Sequence, residues 1–186
     1  MRRMKYSLLL LALILCTSAA QSQAQDDACE DIGLLVNNPN QATYMTPVKV
    51  GLGPTSADPV HTLTLSRTFG NASNDVIWLN LGLTIDSVRN KEGLKGLYLL
   101  FADGSTYRYD DYARKAHRHP VFSGKSLVAA SVAIDKRLRA LLLQSTIVKM
   151  GIGDVTIQPN EETVSHLAAW LTCLANKPVP ERFSKR

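Results

Sequence analysis

The sequence lacks the short motifs that identify most enzymes and metal proteins. It contains no Gly-x-Ser-x-Gly, no His-Glu-x-x-His and no Cys-x-x-Cys. The glycine pairs within residues 51–54 and 151–154 are not phosphate loops, because the first is followed by a proline where a donating amide is needed and neither has the required spacing. No motif indicates a catalytic site or a bound cofactor, so we expect a non-catalytic protein rather than an enzyme.

Long apolar runs are also missing. The apolar run at residues 8–16 is shorter than the about 20 residues that a helix needs to cross a bilayer. Arg2, Arg3 and Lys5 precede this run, and small residues suited to cleavage follow it. This order predicts a cleaved signal peptide at residues 1–25 and no transmembrane segment in the mature chain. We therefore expect an exported protein, periplasmic or secreted, from a bacterial host.

The mature chain has little excess charge of either sign. Of the 21 basic residues three lie in the predicted signal peptide, whereas all 16 acidic residues lie beyond it, which leaves 18 against 16, or +2. The sequence pI of 9.2 is therefore partly a property of the export signal. Such a balanced charge argues against nucleic acid as a partner.

Cysteine is scarce, with three residues in the chain. Cys16 is removed with the signal peptide, which leaves Cys29 and Cys173 in a chain bound for an oxidising compartment. An even pair there predicts a disulfide bond, whereas two free thiols are the alternative. The bridge would join the mature N-terminus to the last helix.

Alternating residues indicate strands through most of the chain. Residues 95–111 contain two such runs around Asp103-Gly104, a pair that predicts a hairpin with a tight two-residue turn. Apolar residues alternate most regularly at residues 76–85, which predicts a core strand. Thr46 to Leu52 predicts the first strand, and a short helix is one interpretation of the apolar residues before Asn38.

Two helices are predicted by their caps and apolar spacing. Asp135 and Asn160 are suited to cap helix N-termini, and Pro178 ends the second pattern. Together these patterns predict an α+β fold, with a mostly antiparallel sheet of about five to seven strands and a short helix and a C-terminal helix packed on one face. We expect a single globular domain at residues 26–178 and a basic, flexible tail at residues 179–186.

Residues 112–124 have no sustained period and predict a long basic loop. Within this loop, His117 and His119 could bind zinc or copper with the upstream Asp110, because imidazole and carboxylate groups are common ligands of these metals. The alternative is a solvated loop that contains two histidines. Tyr107, Tyr109 and Tyr112 could instead serve as stacking platforms for a polysaccharide, or could be ordinary sheet aromatics.

From the sequence we therefore expect an exported, non-catalytic binding or structural module whose ligand is unknown. A cell-envelope protein or a polysaccharide would be its partner. The alternative is a metal-binding protein or metal-dependent hydrolase that uses the histidines of the predicted loop.

Overall fold

The computed structural model describes residues 29–38, 41–51, 60–70, 75–86, 96–110, 117–122 and 125–181. The strands are β1 (Gly33–Asn38), β2 (Gln41–Met45), β3 (Lys49–Gly51), β4 (His61–Gly70), β5 (Val76–Asp86), β6 (Leu97–Phe101), β7 (Thr106–Tyr109), β8 (His117–Phe122), β9 (Lys125–Ala133), β10 (Ile147–Ile152) and β11 (Val155–Ile157). The helices are α1 (Lys136–Gln144), α2 (Glu161–Ser165) and α3 (Leu167–Asn176).

The strands form two antiparallel sheets. The larger sheet has seven strands in the order β1-β2-β4-β5-β9-β8, and β3 pairs with β4 beside β2. The smaller sheet has four strands in the order β11-β10-β6-β7. The break between β2 and β3 is bridged by Thr46, whose amide donates to the Leu65 carbonyl and whose hydroxyl accepts from the Leu65 amide, each at 3.0 Å.

The two faces of the larger sheet differ because successive strand residues alternate between them. Leu63 and Leu65 on β4 lie opposite Leu81 and Leu79 on β5, and all four side chains are buried. The other face carries short polar side chains, several of which bond to one another across strands. Ser131 donates to Asn80 at 2.7 Å, and Asn80 donates to Ser66 at 3.0 Å.

The predicted hairpin is confirmed as β6 and β7, but its turn differs from the expected two-residue form. The Gly104 amide donates to the Phe101 carbonyl at 3.0 Å, and Gly104 has φ 83°, whereas Asp103 has a negative φ. A turn closed by a left-handed glycine adds one residue and forms a bulge. The Ser105 amide and hydroxyl donate to the Asp103 carboxylate and lower the pKa of Asp103.

The helices begin at the predicted caps. Asp135 accepts from the Leu138 amide at 2.7 Å, and Asn160 accepts from the Thr163 amide at 2.9 Å. The C-terminal helical segment is interrupted at His166, which separates α2 from α3. Helix α3 packs against α1 and β4, so the apolar faces of both sheets and the helices share one core.

A buried arginine joins β4 to the end of α3. The Arg67 guanidinium donates to both Asp75 carboxylate oxygens, at 2.6 and 2.5 Å. Its third nitrogen donates to the carbonyls of Leu174, Ala175 and Lys177 at 2.7 to 3.0 Å. The last carbonyls of a helix have no hydrogen-bond partner within the helix, so Arg67 supplies the donors that the C-terminus of α3 lacks. We call this arrangement the Arg67 clamp.

The expected disulfide bond is present. Cys29 and Cys173 are bridged across 144 residues of sequence, with their Cα atoms 5.3 Å apart, which is an ordinary separation for a disulfide. Because Cys173 lies on α3, the bridge fixes the start of the described chain to the same helix that the Arg67 clamp holds. Two independent connections therefore secure α3.

The α+β class, with mostly antiparallel sheet and a C-terminal helix, is confirmed. Three sequence interpretations need correction. The apolar residues before Asn38 form strand β1 rather than a helix. The first predicted strand, Thr46 to Leu52, begins only at Lys49 as β3, and β2 precedes it. The predicted loop at residues 112–124 contains strand β8. The predicted signal peptide, and all of the tail beyond Glu181, lie outside the described residues. Within the described ranges, no helix is long and apolar enough to cross a membrane.

Candidate functional site

A shallow cleft lies on the outer face of the smaller sheet. Its volume is about 360 Å³, within the range of about 300 to 1,000 Å³ that is usual for small-molecule sites. Its side chains come from all four strands of the sheet and from the residues that follow β7 and β10. They are Tyr98, Arg108, Asp110, Lys149, Asp154 and Thr156.

The register of the smaller sheet sets the middle of the cleft. Arg108 lies opposite Tyr98, Tyr98 lies opposite Gly151, and Gly151 lies opposite Thr156. These four residues form one row across the sheet. Within the row the Arg108 guanidinium lies 5.3 Å from the centre of the Tyr98 ring, a cation–π distance.

Two glycines with positive φ bring the rim of the cleft together. Gly96 precedes β6 with φ 82°, and Gly153 lies in the β10–β11 turn with φ 61°. The Gly153 amide donates to the Gly96 carbonyl at 3.2 Å. A Cβ atom at Gly96 would lie 2.9 Å from the Tyr109 carbonyl and 3.2 Å from an Asp110 carboxylate oxygen, so a larger residue would displace this side of the rim.

The charges of the cleft do not neutralise one another by direct contact. Arg108, Asp110 and Asp154 are exposed, and Lys149 is half-buried. The ion pairs of the described residues join Lys49 to Glu162 and Arg67 to Asp75, and neither pair belongs to the cleft. The cleft therefore presents two cations and two carboxylates around an aromatic ring, all of them able to contact a ligand.

The tyrosines that the sequence suggested as stacking platforms have different positions. Tyr107 is buried, and its hydroxyl donates to Asp135 at 3.3 Å. Burial, and then the charge of Asp135, raise the pKa of Tyr107 to about 12. Tyr109 packs against the core, and Tyr112 lies outside the described residues. Tyr107 is therefore a core residue and not a platform.

Sequence reasoning missed Tyr98 as the tyrosine on the outer face. The alternation of β6 places it between the buried Leu97 and Leu99, facing away from the core. The hairpin register would have placed Tyr98 beside Arg108. No local signal connects either residue to Lys149 or Thr156, which come from β10 and β11.

The proposed metal ligands fall in two parts of the structure. Asp110 lines the cleft. His117 and His119 belong to β8, and their backbones pair with Ala129 and Leu127 of β9. The side chains of both histidines lie outside the described residues, so the metal hypothesis stays a prediction. Among the side chains that are described, no group of three possible metal ligands occurs.

His61 is a buried polar residue outside the cleft, at the start of β4. Its side chain is fully buried, and neither ring nitrogen has a hydrogen-bond partner among the described residues. The ring lies against Gly51 so closely that a Cβ atom there would be 1.8 Å from Nε2. Burial lowers the pKa of His61, because a charged imidazole would lose its hydration without compensation.

Comparison with known proteins adds no relative: no family model, no curated protein and no solved structure matches this chain.

Proposed function

We propose that this protein is an exported, non-catalytic binding module and that the cleft on the smaller sheet is its ligand site. The observation that carries the proposal is the set of unpaired charges around Tyr98. Two cations and two carboxylates converge on one concave surface whose rim is held by the Gly96–Gly153 contact. Such preformed polar groups beside an aromatic ring are typical of small-molecule sites.

Export is the first part of the proposal. The Cys29–Cys173 bridge supports it, because disulfides persist in oxidising compartments and are rare in the cytosol. The full chain with a C-terminal tag should be expressed in a bacterial host, and the tagged protein should be recovered from the periplasm or medium with about the first 25 residues removed. Intact chain confined to the cytoplasm, measured by mass spectrometry of each fraction, would contradict export.

Binding in the cleft is the second part. The processed chain, labelled with ¹⁵N, should be titrated with a panel of oligosaccharides, short peptides, amino acids and nucleotides while its backbone amides are followed by NMR. We expect at least one compound to shift amides of β6, β7, β10 and β11, and Tyr98→Ser to weaken that response. Arg139→Gln is the matched control, because Arg139 is exposed on α1 and does not line the cleft. A panel that shifts no amide of these strands would refute the site.

The metal-binding alternative has one observation in its favour. The backbone of His117 and His119 is extended in β8, and alternate residues of a strand share a face. Zinc and copper titrations of the processed chain should be compared with the His117→Ala/His119→Ala variant, with Arg118→Gln as control. Stoichiometric metal that only the double variant loses would support a metal site, whereas equal metal content in all three proteins would oppose it.

A further inference from the structure

We infer that the cleft binds an acidic saccharide, a chain of sugar rings that carry carboxylates. This inference rests on the proposed function and specifies its ligand class.

Tyr98 lies in the middle of the row of residues across the smaller sheet and lines the cleft. The Arg108 guanidinium lies on the β7 side of Tyr98, whereas on the β10 side the opposing residue is Gly151, which has no side chain. The next side chain in this direction is Thr156 on β11. A Cβ atom at Gly151 would lie 2.4 Å from the Val155 carbonyl oxygen and 2.8 Å from the Thr156 methyl carbon, so glycine lets β11 approach and β11 covers this position. The apolar face of a sugar ring could therefore stack on Tyr98 from the cleft that this side chain lines.

The cations and the carboxylates of the cleft suit different groups of a ligand. Arg108 and Lys149 have no carboxylate partner among the described residues, so they can bind a carboxylate of the ligand. Asp110 and Asp154 are ionised acceptors, so they suit the hydroxyl donors of a sugar. A ligand that combines isolated carboxylates with many hydroxyls satisfies both pairs. A polyphosphate does not, because the two aspartates would repel its dense negative charge.

Recognition of a peptide main chain fits the cleft less well. Peptides often bind by adding a strand to the free edge of a sheet. Tyr98 lies on β6, which is paired on one side with β10 and on the other with β7. The centre of the cleft therefore offers side chains rather than unpaired backbone groups, and an added strand has no free edge there.

The test compares two forms of one oligosaccharide. An oligogalacturonate and its methyl-esterified form have the same rings, and only the first carries the negative charge. Binding to the processed chain should be measured by isothermal titration calorimetry, with NMR mapping of the perturbed amides. We expect the acidic form to bind in the cleft, with an affinity that falls as salt is added, and the ester to bind about tenfold more weakly.

Three variants assign the contacts. Arg108→Gln and Lys149→Gln should each weaken binding of the acidic form by roughly tenfold and change binding of the ester little. Tyr98→Ser should weaken both forms, because it removes the stacking surface. Arg139→Gln should change neither form. Thermal unfolding of each variant establishes that a loss of binding is not a loss of fold.

The outcomes separate this inference from the proposed function. Equal binding of the ester and the acid would overturn the role of the carboxylate and leave a saccharide site. Perturbation of the cleft by a peptide or an amino acid, and not by either sugar, would overturn the saccharide class and leave the binding module. No perturbation of the cleft by any compound would overturn both.

Discussion

Removal of the Arg67 side chain is the sharpest test of how this fold is held together. Arg67 is 10% exposed, whereas its partner Asp75 is 44% exposed. In Arg67→Met the Asp75 carboxylate returns to water at little cost. The carbonyl of Leu174, whose bond to Arg67 is buried, and those of Ala175 and Lys177 lose a charged donor. An unpaired buried acceptor costs about 1 to 3 kcal/mol.

The expected loss follows from these contacts. The bond from Arg67 to the Leu174 carbonyl is buried, whereas those to Ala175 and Lys177 are part-buried, so one acceptor bears the full cost and two bear less. Most domains have a total stability of about 5 to 15 kcal/mol. We therefore expect Arg67→Met to lower the free energy of unfolding by about 2 to 4 kcal/mol and the melting temperature by on the order of 10 °C. Urea unfolding of the disulfide-bonded protein measures this change, with an unchanged dependence on urea concentration.

Two further variants separate the ion pair from the helix contacts. Asp75→Asn keeps the bonds from Arg67 to the carbonyls but leaves a guanidinium that is 10% exposed without its counter-charge, so it should cost about 1 to 3 kcal/mol. Arg67→Lys keeps the charge but loses the planar fork that reaches both the carboxylate and the carbonyls, so its loss should be intermediate. If Arg67→Met lay within about 1 kcal/mol of wild type, the helix-end contacts would not be a source of stability.

The remaining predictions concern the core and the disulfide. Because burial lowers the pKa of His61 below 6.5, the unfolded chain takes up a proton first as the pH falls, so stability should decrease below pH 6.5. Urea unfolding at about pH 7.5 and about pH 5.5 should show a larger loss for wild type than for His61→Leu, and equal losses would refute this. Gly51→Ala should cost about 1 to 3 kcal/mol because of the ring beside it, and much less in a His61→Ala background; an unchanged cost there would reject the clash. Replacing Cys29 and Cys173 by serine should cost about 5 kcal/mol by chain entropy, and two free thiols in an Ellman assay of denatured wild type would remove the bridge. Leu81→Asp should prevent folding, since Leu81 is 1% exposed in the core; a dispersed, unchanged NMR spectrum would contradict its placement.

Some errors of interpretation have a clear physical origin. The apolar residues around Leu34 and Leu35 form too short a run for its period to distinguish helix from strand. Residues 117–122 include Pro120, which argues against a strand because proline donates no amide hydrogen. Strand β8 tolerates this proline because it lies at the end of the strand order and pairs with β9 alone among the described strands.

The sequence predicts those structural elements that depend on residues close together in the chain. The alternation of β5, the place of the hairpin turn and the caps at Asp135 and Asn160 could all be predicted, because each depends on neighbouring residues. The disulfide could be predicted from the parity of the cysteines and the expected compartment.

The candidate site depended on the tertiary structure. The hairpin places Arg108 beside Tyr98, but only the pairing of β10 with β6 brings Gly151 and Lys149 to the same face. Nor did the sequence show that Arg67, which shares a face of β4 with Leu63 and Leu65, would meet the end of a helix more than 100 residues further along the chain. Alternation tells which face a residue occupies, whereas the contacts of that face depend on how distant elements pack. The sequence by itself therefore determined most of the strands, the caps and the bridge, and packing between distant elements decided the cleft and the Arg67 clamp.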